Sequence, residues 1–405
     1  MNYSQTTAWM FSRLPMYQKQ GASAYKKDLS RTQLLSSYLN QPEQNFKSVH
    51  IGGTNGKGST AHMMAAVLQQ AGYKVGLYTS PHLKDFRERI RIDGHKIPEA
   101  FVIEFIQKHK TFLESQQLSF FEMTVGLAFD FFFQKRVDIA IIEVGLGGRL
   151  DSTNIISPEL SVITNIGLDH TQFLGDTLQK IANEKAGIIK ANTPVVIGES
   201  QTEVNAIFTQ KASALKSDIY FADQEISQVL DCSLLGNYQQ KNIKTALKAL
   251  GILETRGFSF SQQQLKKGLL SVQKHTGLRG RWELLSKSPN IICDTAHNKE
   301  GLKLVIVQLQ QQAFKRLHIV LGVLAEKSLD SFTDIFPKKA KYYFCQPNIP
   351  RAMDVKLLTQ TFNKKGYKGQ GYDSVQKAFT TAKEQALKED LIFVGGSTFV
   401  VAEVL

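Results

Sequence analysis

The run Gly52-Gly53-Thr54-Asn55-Gly56-Lys57-Gly58-Ser59 constrains this chain more than any other stretch. Lys47 to Ile51 before it reads as a buried strand, and a helical pattern follows from about Ser59 to Ala71. At a glycine-rich strand-to-helix junction, consecutive backbone N–H groups can point at phosphate oxygens, and the helix N-terminus adds positive potential. Lys57 can then reach the outer phosphates. The strict G-x-x-x-x-G-K-[ST] pattern is not met, because Ile51 stands at its first Gly and Gly58 at its Ser/Thr. Ser59 remains to cap the helix or reach the triphosphate. A plain turn would not need four glycines around one lysine, so a phosphate loop is expected.

The rest of the chain alternates short apolar runs with longer helical patterns. Val75 to Tyr78, Asp138 to Val144, Leu160 to Thr164 and Pro194 to Ile197 read as strands. Glu99 to Glu114, Glu122 to Gln134 and Leu178 to Ile189 read as helices. Such succession implies βαβ units and a parallel, doubly wound sheet. A second cycle of strands covers Asn290 to Asp294, Leu317 to Leu321, Lys341 to Cys345 and Leu391 to Val394. Helices are expected between them, near Gly301 to Phe314 and Ser374 to Leu387. The periodicity breaks at His-Thr-Gly-Leu-Arg-Gly-Arg, so residues 1–278 and 279–405 are expected as a larger and a smaller α/β domain.

Charge narrows the partners. Lys and Arg number 49 against 36 Asp and Glu, a net +13 that favours anions of any kind. The densest basic groups, Arg87, Arg89 and Arg91, and Lys338, Lys339 and Lys341, are too short to read as a nucleic-acid arm, and no nucleic-acid partner is expected. Three scattered cysteines, Cys232, Cys293 and Cys345, fit neither a disulfide framework nor a CxxC site. Met1 to Gly21 lacks the apolar core of a signal peptide, and Leu391 to Leu405 is too short to span a bilayer. A soluble cytoplasmic protein without a membrane partner is expected, as a monomer.

Five further segments follow the loop in order. They are Tyr78-Thr79-Ser80-Pro81-His82-Leu83, Glu143-Val144-Gly145-Leu146-Gly147-Gly148-Arg149-Leu150-Asp151-Ser152-Thr153-Asn154, Gly167-Leu168-Asp169-His170, Glu184-Lys185-Ala186-Gly187-Ile188-Ile189 and Asp294-Thr295-Ala296-His297-Asn298. Together they resemble the Mur ligase superfamily, and within it folylpolyglutamate synthase and bifunctional dihydrofolate synthase. The resemblance implies a P-loop, parallel-sheet ATPase domain followed by a smaller Rossmann-like α/β C-terminal domain, with the site in the cleft. It also implies a reaction: ATP phosphorylates a carboxylate, and the amino group of L-glutamate displaces phosphate from the acyl phosphate. ATP contacts are then expected at Thr54, Asn55, Gly56, Lys57, Gly58, Ser59, Asn242, Arg281 and Asp294. Lys57, Lys185, Asp294 and His297 are the catalytic candidates.

Phosphoryl transfer gathers negative charge, and Mg²⁺ is its usual neutralising agent, held by hard oxygen ligands. Glu143 ends an apolar strand, where carboxyl-end residues of parallel sheets face the ligand crevice. Ser80 and His170 follow other strands, although nitrogen is not the favoured ligand of Mg²⁺. The resemblance implies that Ser80, Glu143 and His170 bind Mg²⁺. Lys185 by itself reads as a solvated helical lysine; the resemblance implies that it is carbamylated and holds a second metal ion. A base near the glutamate amine would help its attack, with His297 or the carbamate as alternatives.

Ser119, Phe120, Phe121 and Glu122 offer rings for stacking and a carboxylate for ring nitrogens. Paired Phe entering a helix also read as core. With Leu150, Asp151 and Ser152, they resemble the segment that binds dihydropteroate, so dihydropteroate, folates, L-glutamate and ATP are the expected substrates. One synthase activity or both remain open. The family usually has His where Tyr238 stands, so no His-specific role is expected there. Lys327, Pro350-Arg351-Ala352 and Gly396-Ser397 echo further family segments. A cell-wall ligase would need a nucleotide-sugar domain before the loop, and about fifty residues are too few for one.

Overall fold

The computed structural model describes residues 1–12, 28–325, 329 and 332–405; Lys327 lies outside the described residues. Two compact units form. The first holds Met1–Ser233 and Gln240–Gly277, and the second holds Leu234–Gln239 and Leu278–Leu405.

The first unit is built on β1 (Lys47–Gly52), β2 (Val75–Tyr78), β3 (Ile90–Ile92), β4 (His95–Lys96), β5 (Ile139–Glu143), β6 (Leu160–Ile163), β7 (Val195–Ile197) and β8 (Ile219–Phe221). Among the described residues they order as β4-β3-β2-β5-β1-β6-β7-β8. The six strands from β2 to β8 are parallel, and β3 and β4 add antiparallel at one edge. The sheet is therefore not wholly parallel as the periodicity predicted. Every residue of β5 is buried, which explains its unbroken apolar run, since helices cover both faces of such a strand. The chain leaves β1 toward β2 and leaves β5 toward β6, in opposite directions from adjacent strands. Divergence of this kind opens a crevice at the carboxyl ends of the strands.

The second unit contains β9 (Glu283–Lys287), β10 (Asn290–Cys293), β11 (Leu317–Leu321), β12 (Lys341–Cys345), β13 (Lys368–Tyr372) and β14 (Leu391–Gly395). They order as β13-β12-β11-β14-β10-β9, parallel except for β9. Phe344, Phe362 and Phe393 are fully buried in its core.

Several helix boundaries differ from the expected ones by a few residues, among them Lys299–Gln310 and Val375–Gln385, and three of the shifts have a clear local reason. Gly56, left-handed at φ 86°, starts the helix after the phosphate loop at Lys57 rather than Ser59. Ser119 caps the helix Phe120–Gln134, two residues earlier than its apolar pattern suggests. Gly187 stops the helix Leu178–Ala186 before Ile188 and Ile189. No helix among the described residues is long and apolar enough to cross a membrane. Cys293 and Cys345 are buried thiols.

Candidate active site

The phosphate loop sits where β1 ends. Gly53 takes φ 133°, and a Cβ there would lie 1.9 Å from Thr164 Oγ1, so no other residue fits without displacement. The loop is fastened to the end of β6. Thr54 N donates to Asn165 O at 2.9 Å, Asn55 N to Asn165 Oδ1 at 2.9 Å, and Thr164 Oγ1 to Asn55 O at 2.6 Å. Thr54 Oγ1 accepts from Gly167 N at 2.9 Å. Gly56 opens the helix Lys57–Gln70, and a Cβ on it would meet Asn242 Oδ1 at 2.1 Å. Asn242, expected to touch nucleotide, is thus packed on the loop itself. Ser59 is buried in the first turn, with Gly58 before it.

Two ammonium groups converge on one carbonyl. Lys57 Nζ donates to Gly53 O and Thr54 O, both at 3.1 Å, and Lys185 Nζ donates to Gly53 O at 2.8 Å. Lys185 is buried, which corrects the reading of a solvated helical lysine. Its helix turns Ile181, Ala182, Lys185 and Ala186 inward. Spacing of i and i+4 puts Lys185 above Ile181 on the apolar face, and that spacing was the available signal. Burial and then the charge of Lys57 lower the Lys185 pKa to about 7, against the pull of Asp169 and Asp151.

Glu143 ends β5 as a buried carboxylate, and Ser80 N donates to its Oε2 at 3.1 Å. Two of the expected metal ligands are therefore neighbours. His170 is exposed, sits left-handed at φ 50° and caps the short helix Thr171–Leu174, with its N–H on Asp169 Oδ1 at 2.9 Å. Among the described residues, no group of three His, Cys, Asp or Glu side chains is gathered for a metal ion. A carboxylate joined by a hydroxyl is nonetheless the hard oxygen donor set that Mg²⁺ prefers.

The expected acceptor segment carries structural duties. Ser119 and Glu122 close a capping box: Glu122 N donates to Ser119 Oγ at 3.2 Å, and Ser119 N to Glu122 Oε2 at 2.6 Å. The Glu122 carboxylate is buried in that box. Phe120 is buried, stacked on Phe11 with ring centroids 5.0 Å apart. Phe121 is partly buried with its ring edge against Gly145. Asp151 Oδ2 accepts from Leu146 N at 2.8 Å, and its Oδ1 accepts from Thr153 N at 3.0 Å. Burial raises the Asp151 pKa, opposed by these bonds. Leu150 and Ser152 flank it, half-buried.

In the second unit, Asp294 follows β10 and is saturated with donors. Its Oδ2 accepts from Tyr238 Oη at 2.5 Å and Trp282 N at 2.7 Å, and its Oδ1 accepts from Ala296 N at 2.8 Å. Burial raises its pKa, while the Tyr238 bond and Arg281 oppose the rise. Arg281 bonds Thr295 Oγ1. The Nδ1 of His297 lies 3.1 Å from Thr295 O. Asn298 caps the helix Lys299–Gln310. Ser397 caps the helix Thr398–Val404, and the Arg351 guanidinium lies over Phe399 at 5.7 Å. Sequence reasoning missed the Tyr238–Asp294 pair, because the partners lie far apart in the chain.

The Mur ligase middle domain family matches residues 51–251, and the Mur ligase glutamate ligase domain family matches residues 280–398. The folylpolyglutamate synthase of Lacticaseibacillus casei is 32% identical over 98% of this chain and 96% of its own length. A probable bifunctional folylpolyglutamate synthase/dihydropteroate synthase of Haloferax volcanii is 31% identical over 100% of this chain, which spans only 50% of that longer protein. The structure of Escherichia coli FolC in complex with DHPP and ADP is similar at TM-score 0.85 and 29% identity, covering 98% of this chain and 96% of that one.

Proposed function

This chain belongs to the Mur ligase family and, within it, to the folylpolyglutamate and dihydrofolate synthases, and from that membership we propose an ATP-dependent ligase joining L-glutamate to dihydropteroate and to the γ-carboxyl of folates. The observation that carries the reading is the fastened loop at the tip of β1, with Lys57 and the buried Lys185 both on Gly53 O. Lys57 has the length to leave its loop carbonyls for the triphosphate. The amides opening the helix Lys57–Gln70 supply the remaining positive potential. Catalysis at such a site is mostly positioning and charge neutralisation.

The acceptor carboxylate attacks the γ-phosphorus and releases ADP. The resulting acyl phosphate then takes the glutamate amine, forming the amide and releasing phosphate. Glu143 and Ser80, with His170 across the loop after β6, are the residues proposed to hold Mg²⁺, which would neutralise the phosphate oxygens when bound. A Lys185 pKa near 7 leaves a neutral amine in part of the population, the form that adds CO₂ to give a carbamate. Asp294, Arg281 and Asn242 are proposed ATP contacts. His297 and the Lys185 carbamate are the two candidates for the base that takes a proton from the glutamate amine. The acceptor is assigned to Phe121, Phe120 and the Leu150–Ser152 turn, with Ser119 and Glu122 shaping that segment.

The test is ADP release by the purified chain with Mg²⁺ and ATP. Release must depend on L-glutamate together with 7,8-dihydropteroate or tetrahydrofolate, assayed side by side. Turnover with both acceptors establishes two activities, turnover with tetrahydrofolate alone a folylpolyglutamate synthase. Glutamate-independent turnover would refute the reading.

A further inference from the structure

Arg89 is buried to 8% exposure on the first unit, yet its guanidinium is spent on little. Its Nε donates to His82 Nδ1 at 2.7 Å, so that nitrogen of His82 carries no proton. Among the described residues no carboxylate pairs with it, and its two terminal NH₂ groups make no hydrogen bond. Arg87 and Arg91, its neighbours in sequence, are committed: Arg87 is forked onto Asp85, and Arg91 bonds Glu88 O and Gly94 O. A buried charge without a counter-ion is expensive, and folds keep one mainly where a ligand completes it.

The surroundings define that ligand. The guanidinium carbon lies 5.3 Å from the centre of the Phe120 ring, in the segment assigned to the acceptor. His82 is two residues beyond Ser80 and also faces the Phe11 ring. The field of Glu143 reaches Arg89 without an ion pair between them. The planar fork of an arginine matches a carboxylate with two parallel N–H···O bonds.

We infer that Arg89 is a carboxylate-binding residue that grips the acceptor substrate through its unpaired terminal NH₂ groups, with Phe120 and His82 holding the fork. This deepens the ligase reading and rests on it. Arg89 lies in neither the phosphate loop nor the expected metal set. L-glutamate also carries carboxylates, so the experiment separates the two sources.

Arg89→Lys, which keeps charge and stem, and Arg89→Gln are assayed with the wild type for KM toward acceptor, L-glutamate and ATP. The expected result is an acceptor KM raised by about tenfold or more, with the other two within about twofold. A rise confined to glutamate, an equal rise in all three, or no rise overturns the assignment. Isothermal titration of wild-type protein with 7,8-dihydropteroate and with the analogue bearing a benzamide in place of the benzoate needs neither a folded variant nor turnover. Weaker binding of the benzamide by about tenfold supports the assignment, and equal binding overturns it. A wild type that makes no amide from any acceptor would instead refute the ligase reading.

Discussion

Lys57 and Lys185 donate to the same carbonyl oxygen, that of Gly53, at 3.1 and 2.8 Å. Two ammonium groups so close together repel, and the burial of Lys185 leaves little water to screen them. The arrangement is relieved when Lys57 swings to an anion or when Lys185 gives up its proton. Both events belong to the proposed reaction.

Replacing Lys57 by Ala removes the mobile cation. ADP release is expected to fall by about 100-fold or more, with the thermal midpoint nearly unchanged because the side chain is only half-buried. A coupled-enzyme ADP assay beside a melting curve checks this; an unchanged rate would take the loop out of the mechanism.

Lys185 is expected to form a carbamate. With ¹³C-bicarbonate at pH 7.5, wild-type protein should show a carbamate carbonyl resonance that Lys185→Met lacks. Since the amine titrates near 7, the signal should grow as pH rises through that value. Identical spectra from both proteins would contradict the prediction.

Gly56→Ala places a methyl group against Asn242 Oδ1 in a left-handed turn. It should cost about 2 kcal/mol or more of stability, part steric and part conformational. Asn242→Ala in the same chain should recover about 0.5–3 kcal/mol of that loss, since it clears the clash. Urea unfolding of the four proteins of this cycle measures the coupling, and strict additivity would refute the contact.

Tyr238→Phe deprives the buried Asp294 carboxylate of its shortest donor. The expected destabilisation is about 1–3 kcal/mol, the loss of one hydrogen bond to a buried carboxylate that keeps Trp282 N and Ala296 N as donors. Tyr238→His, restoring the residue the family usually has there, should lose less. Equal stability of Phe and Tyr at this position, measured by denaturant titration, would argue against the bond.

His50, fully buried in β1 with Nε2 2.8 Å from Thr153 Oγ1, has its pKa lowered to about 3 by burial, and then by Lys190. Below pH 6.5 the unfolded chain gains a proton that the folded chain refuses. Stability contributed here is therefore complete above about 6.5 and declines as pH falls toward 3, with a slope of up to about 1.4 kcal/mol per pH unit. His82 and His109 shift in the same direction and add to the decline. His50→Gln should flatten the profile in unfolding experiments from pH 7.5 to 5.

The core of each sheet was readable because β1, β5, β6, β11 and β14 are short runs dominated by buried Val, Ile, Leu and Phe. Edge strands were not: β13 is Lys-Gly-Gln-Gly-Tyr, mostly outside the core, with no alternation to detect. The glycines of the phosphate loop announced themselves, and Glu143 was legible as an acid ending a buried strand. Lys185 was not, since the buried face it shares has only Ile181 and two alanines to mark it in a short, otherwise polar helix. Arg89 was hidden inside a basic cluster whose three members have different fates. Pairs such as Tyr238 and Asp294 depend on tertiary folding, and no local pattern encodes them.

The stitching of Thr54 and Asn55 to Thr164, Asn165 and Gly167 means that the nucleotide's seat is tailored by residues more than a hundred positions downstream. Binding then meets a cradle already in shape and spends little of its energy on ordering the backbone. Inherited changes near position 165 should consequently mimic damage to the loop, and a survey confined to the glycine-rich motif would overlook them.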